Sequence, residues 1–194
     1  MDRDRTKLTE IKADNGGGTK VSRRIVFALS ATLVFLMSGG RSHAVELTQQ
    51  DVSSAPGQTT IAGALVSCKD IRGVAVTTMR MANLGDVGRA GVLNRVPVIV
   101  IDPDIITRLP NKLQLFFYQH ECAHHVLGHW FQTSMTMETD ADCWAIRHGR
   151  DNGIFSREDV MSFAPFLANS GGSPFGHLPG PQRAKQLLRC FDDE

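Results

Sequence analysis

From Pro110 onward, Leu113, Phe116, Phe117, His120, His124 and Leu127 recur mainly at steps of three and four residues. That spacing lays them along one face of an α-helix, and it commits this part of the chain to a helix more firmly than any other feature. Gly128 and the polar FQTSMT stretch mark its end. The stripe carries imidazoles among its apolar side chains. The segment YQHECAHHVLGHW, residues 118–130, holds four of the chain's seven histidines and a glutamate.

Within it, His120-Glu121-Cys122-Ala123-His124 reads HExxH. Residues four apart on a helix differ by about 40° in direction and lie one turn apart, so both imidazoles can bind one ion. Glu121 then stands beside them, placed to take a proton from water at a zinc ion and to pass it on to a leaving amine. A catalytic zinc wants a third protein ligand. His129 does not fit the HExxHxxGxxH spacing, and on a continued helix it would stand roughly 140° from the pair. His125 is expected to support a ligand, face substrate or lie at the surface. The next helical stretch, 136–148, offers Glu138 and Asp142, four apart and so on one face. One carboxylate can ligate while the other hydrogen-bonds a ligating His. With a tight antiparallel turn Asp142 would climb further toward the pair than Glu138, at about 1.5 Å per residue, but the spacing leaves open which does which.

The flanking stretches set the fold class. GVAVTTMRM, 73–81, and VPVIVID, 96–102, read as strands, and NLGDVGRAG between them as turn. Asp102 with Pro103 predicts a short capped helix. Helix 136–148 is expected to stop at Gly149. FSREDVMSFAPFLANSGG predicts a third main helix with Ser156 and Asp159 as a capping box, and PGPQRAKQLLRCF a fourth. The class is α+β: a small sheet, then helices. Trp144 and Ile146 are expected in the core, and His148 at a helix end.

Charge is uneven. Residues 1–44 carry eight Lys/Arg against four Asp/Glu, leaving thirteen against sixteen for the rest of the 194-residue chain. The slightly acidic body excludes a nucleic-acid binder with a basic face. Arg23-Arg24, the thirteen-residue run Ile25–Met37 and Ser42-His43-Ala44 have the layout of a secretory signal. The expected organisation is a signal peptide with an extended n-region over 1–44 and a single domain over 45–194. The protein would be periplasmic or secreted, with no stable membrane span after cleavage. SRRIVF also resembles a twin-arginine signal. The four cysteines all lie past that cleavage point, and an even count in an exported chain favours disulfides, with three possible pairings. Cys122 lies on the side of its helix opposite the His pair and is expected to point into the core.

HExxH followed by ETDAD resembles the gluzincin peptidases of the HtpX and CAAX-prenyl-protease type, whose E-x-x-A-D supplies the third ligand. HLPGPQR, with His177 six residues before Arg183, is similar to their C-terminal H-P-x-x-x-x-R. The resemblance covers roughly residues 102–190. It implies Glu138 as third zinc ligand, Asp142 as its supporting carboxylate, and His177 and Arg183 near the catalytic centre. The short gap between His124 and Glu138 is similar to that of compact ImmA/IrrE-type zinc peptidases. The expected function is an exported zinc peptidase acting on peptide or protein substrates, with Glu121 as general base and acid. The alternative is a non-enzymatic zinc-binding or interaction module on a peptidase scaffold.

Overall fold

Asp102 shows how tightly local chemistry sets this architecture. Its side chain accepts hydrogen bonds from the backbone N–H groups of Asp104 (2.9 Å), Ile105 (3.2 Å) and Leu84 (2.9 Å), capping a helix and pinning a loop at once. The computed structural model describes residues 55–131, 136–172 and 177–193. The signal expected over 1–44 lies outside the described residues. The α+β class is as expected, with strands first and helices after.

β1 (Gln58–Ile61) and β2 (Ala64–Ser67) form an antiparallel hairpin. β3 (Thr77–Arg80), β4 (Gly88–Leu93) and β5 (Val96–Ile101) form a second sheet of order β3-β5-β4, parallel between β3 and β5 and antiparallel between β4 and β5. The β4–β5 turn is Asn94-Arg95, both at positive φ (50° and 68°), as a two-residue hairpin with primed-turn geometry requires. Two expectations change here. The strand expected over 73–81 pairs as a strand only from Thr77, because Asp70 draws the preceding residues into a turn through the N–H groups of Arg72 and Val74. GRAGVL, expected within or beside a turn, is β4, whose glycines sit at Gly88 and Gly91 against β5.

α1 (Pro103–Ile106) follows β5 directly and leads into α2 (Asn111–Val126), the HExxH helix. From Leu113 to His125 every residue of α2 but Phe117 is buried, so the helix is enclosed rather than amphipathic. Ile99 and Ile101 of β5, Val76, and Leu113 and Phe116 of α2 belong to one core with Ile146, Phe163 and Leu187. The expectation for His125 is corrected in this core. Its ring is 1% exposed, and Nε2 donates to the Val98 carbonyl at 2.9 Å, tying α2 to β5.

α3 (Met137–Asp151) runs through Gly149 rather than stopping there. A Cβ at Gly149 would stand 2.1 Å from Phe155 Cδ2, so this glycine makes room for packing. The helix expected from Ser156 is two short ones, α4 (Arg157–Met161) and α5 (Ala164–Leu167), and the Ser156–Asp159 capping box is present. α6 (Gly180–Asp192) closes the helical layer against α3. Ile146 is fully buried; Trp144 is half-buried and stacks on the exposed His148 near the end of α3. All four cysteines are paired: Cys68–Cys122 joins the residue after β2 to α2, and Cys143–Cys190 joins α3 to α6. Cys122 is buried on the side away from the His pair. No helix among the described residues is long and apolar enough to cross a membrane.

Candidate metal centre

His120 and His124 rise from successive turns of α2, and their rings meet edge-on with centroids 4.9 Å apart. The two Nε2 atoms are 3.2 Å apart. α3 lies against this face and brings Glu138, whose Oε2 is 3.2 Å from His120 Nε2 and 3.5 Å from His124 Nε2. One ligand atom from each of the three residues lies within 4.8 Å of the others, and all three residues are buried. This group could hold a metal ion. Its donor set of two imidazoles and one carboxylate suits an ion that takes nitrogen and oxygen ligands.

One turn further along α3, Asp142 Oδ1 stands 2.8 Å from Nδ1 of the same His120 ring. The ring therefore lies between two carboxylates of α3, with Glu138 at Nε2 and Asp142 at Nδ1. The opposite placement of the two ring nitrogens is what lets both members of a four-residue pair reach one histidine. Asp142 is in turn held by Arg183 of α6, whose Nε and Nη2 donate to its two oxygens at 2.8 and 2.7 Å. The Arg183 guanidinium is buried over the rings of Phe116 and Phe117, at 5.7 and 5.8 Å.

The electrostatics follow from these contacts. Burial opposes ionisation of Asp142, but Arg183 and His120 together hold its carboxyl down to about 2. Burial likewise opposes ionisation of Glu138, and hydrogen bonds from His120, His124 and His177 hold it far below the usual carboxylate range. Both are anionic across the neutral range. Burial alone would lower His120; Asp142 first, with Glu138 and Glu121, pushes it up to about 9. Burial, then the neighbouring His124, lowers His129.

The group opens onto a cavity of about 550 Å³ lined by Glu121, Phe117, Trp130, Met137 and His177, among others. Glu121 Oε2 accepts a hydrogen bond from the Ala90 N–H at 2.6 Å, so the edge strand β4 orients the motif's carboxylate. Gly88 matters to this fit, since a Cβ there would lie 3.3 Å from Glu121 Cγ and 2.9 Å from Ile101 Cδ1. His177 Nε2 is 2.7 Å from Glu138 Oε2, and its ring stacks on His120 at 5.6 Å.

The structure thus brings together His120, Glu121, His124, Glu138, Asp142, His177 and Arg183. Arg183 meets the centre through Asp142, one residue removed from His120. His129, which the spacing and the angle of a continued helix set aside, lies beside the group, its Nδ1 2.9 Å from His124 Nδ1. Gly128, at φ +71°, was the signal that could have found it, because it turns the chain back over the last helical turn. Comparison with protein-family models, curated proteins and solved structures returned no match.

Proposed function

We propose that this chain is a zinc-dependent peptidase, with zinc held by His120, His124 and Glu138 and with Glu121 as general base and acid. The observation that carries the reading is the convergence of those three side chains beside Glu121 on one open cavity. Ligand atoms arranged tetrahedrally around an ion at about 2.0–2.1 Å stand roughly 3.3–3.4 Å from one another. The spacings of 3.2, 3.2 and 3.5 Å lie close to that edge length. Three protein ligands with an open side are the arrangement of catalytic rather than structural zinc. The resemblance of HExxH, ETDAD and HLPGPQR to gluzincin peptidases supports the same reading.

Bound zinc would supply Lewis acidity, which activates water and polarises a carbonyl near neutral pH. The chain's own groups do the rest. Glu121 takes the proton of the attacking water and delivers it to the leaving amine, held in line by the Ala90 N–H. Asp142 fixes the His120 ring, and Arg183 fixes Asp142. His177, at the cavity wall, meets Glu138 Oε2 through its Nε2 at 2.7 Å and so supports the carboxylate read as the third ligand. β4 is a sheet edge, and its residues Gly88, Arg89 and Ala90 border the cavity. An extended substrate can lie along this edge, which suits a polypeptide better than a compact small molecule.

Two disulfides beside such a site suit an oxidising compartment, in keeping with an exported peptidase. The test is Glu121→Gln in zinc-loaded protein assayed on peptide libraries. The variant should keep its zinc and lose hydrolysis by at least about a hundredfold, the lower end of what general acid–base catalysis contributes. Full activity in the variant would overturn the mechanism. A zinc-loaded parent that hydrolyses no peptide would leave the non-enzymatic binding module.

A further inference from the structure

The end of α2 does more than stop a helix. Gly128 N–H donates to the His125 carbonyl at 3.2 Å and His129 N–H to the His124 carbonyl at 3.0 Å. With Gly128 at φ +71°, these are the paired bonds of a Schellman ending, in which the residue after the reversing glycine folds back over the third residue from the helix end. In most proteins that contact is apolar. Here both partners are imidazoles. His129 meets His124 edge-on, at 5.0 Å between ring centroids and 71° between planes, with the two Nδ1 atoms 2.9 Å apart. Both side chains are buried, at 8% and 6% exposure.

The two nitrogens of His124 therefore have separate tasks. Nε2 faces His120 Nε2 and Glu138 Oε2, while Nδ1 faces only backward within this pair, to His129. An N···N contact of 2.9 Å holds one proton, and a ligating Nε2 leaves that proton on Nδ1 of His124. We propose that His129 is a positioning residue for the metal centre: its Nδ1 accepts the hydrogen bond from His124 Nδ1–H and fixes the His124 ring with its Nε2 lone pair toward the ion. It would serve His124 as Asp142 serves His120, with a neutral acceptor in place of a charged one. The role requires His129 to carry its own proton on Nε2. It rests on the metal-centre reading, and it gives the Gly128-His129 pair, directly after the helix, a function that HExxH alone does not contain.

The test measures zinc affinity by competition with a chromogenic chelator, in the full chain with its disulfides intact. Three variants are compared with the parent: His129→Phe, which fills the space without an acceptor; His129→Asn, whose amide oxygen stands where Nδ1 stood; and His120→Ala. Removing a partner of a ligating His costs about 10–100-fold in metal affinity. His129→Phe should weaken zinc binding by that factor. His129→Asn should stay within about threefold of the parent, and cobalt absorption spectra should show the same grouping. If His120→Ala abolishes binding while His129→Phe leaves it unchanged, the role of His129 is overturned and the centre stands. Equal losses in His129→Phe and His129→Asn would make His129 a packing residue only. Binding that survives His120→Ala would overturn the centre itself.

Discussion

Removing Asp142 should separate two quantities that the proposed zinc centre would couple, folding stability and metal affinity. In Asp142→Ala the Arg183 guanidinium, with its side chain 7% exposed, loses the carboxylate that takes both of its donated hydrogen bonds. It is left against the Phe116 and Phe117 rings, which it already touches, so no compensating contact appears. Breaking a buried pair in this way costs about 3–5 kcal/mol, a large part of the stability of an ordinary domain. His120 Nδ1 loses its partner in the same step, which should weaken zinc binding about 10–100-fold. The double variant Asp142→Leu with Arg183→Met removes both charges and fills the space beside the two phenylalanines with apolar side chains. It should recover part of the lost stability, because the uncompensated Arg183 charge is gone, while His120 Nδ1 stays without its carboxylate. It should not recover zinc affinity. Urea unfolding of chelator-treated protein under non-reducing conditions reads the first quantity, and zinc competition reads the second. A cost below about 1 kcal/mol for Asp142→Ala, or parent-like zinc affinity in the double variant, would refute the reasoning.

Gly149→Ala should destabilise by about 1–3 kcal/mol through overpacking, because the new methyl meets the Phe155 ring; combining it with Phe155→Leu should return part of that loss in thermal melts. Non-reducing proteolysis and mass spectrometry should recover peptides linked through Cys68–Cys122 and Cys143–Cys190, and a Cys122–Cys143 link would contradict the packing of α2 against α3. Asp70 supplies a pH dependence outside the group of metal-binding side chains. Burial opposes its ionisation, but the Arg72 guanidinium and the Val74 and Arg72 N–H groups hold its carboxyl below the usual value. Stability from that shift is complete above the unfolded carboxyl's pKa of about 3.9 and is lost as pH falls through the folded value. The stability gap between the parent and Asp70→Asn should therefore narrow on acidification, and a gap that widens would reverse the assignment.

The helix α2 was legible because its spacing, the preceding Pro110 and the terminal Gly128 agree with one another. HExxH follows from that helix, since four-residue spacing means convergence only once the helix is granted. The third group was harder. Spacing offered both Glu138 and Asp142, the rise along the helix leaned toward Asp142, and only the resemblance to gluzincins favoured Glu138. The structure brings both to His120, one at each nitrogen, an arrangement that no one-dimensional spacing displays. β4 was hidden by its own glycines, because GRAGVL has the composition of a turn and owes its strand to pairing along β5. His125 looked available for the site because helix geometry turns it from the ligands without revealing the Val98 carbonyl on its other side. His129 was set aside on the angle of a continued helix, whereas a positive φ at Gly128 ends the helix and folds the next residue back. Cysteine pairing depended on the packing of α2, α3 and α6, which four positions in a chain do not contain.

Zinc content by elemental analysis, on the parent and on Glu138→Gln, bears most directly on the metal centre. Gln keeps the shape of the side chain and removes the charge and one ligating oxygen. One zinc per chain in the parent, with most of it lost from a folded Glu138→Gln, is the expected result. A parent without zinc after metal supplementation, or a variant that keeps it in full, would contradict a centre built from His120, His124 and Glu138.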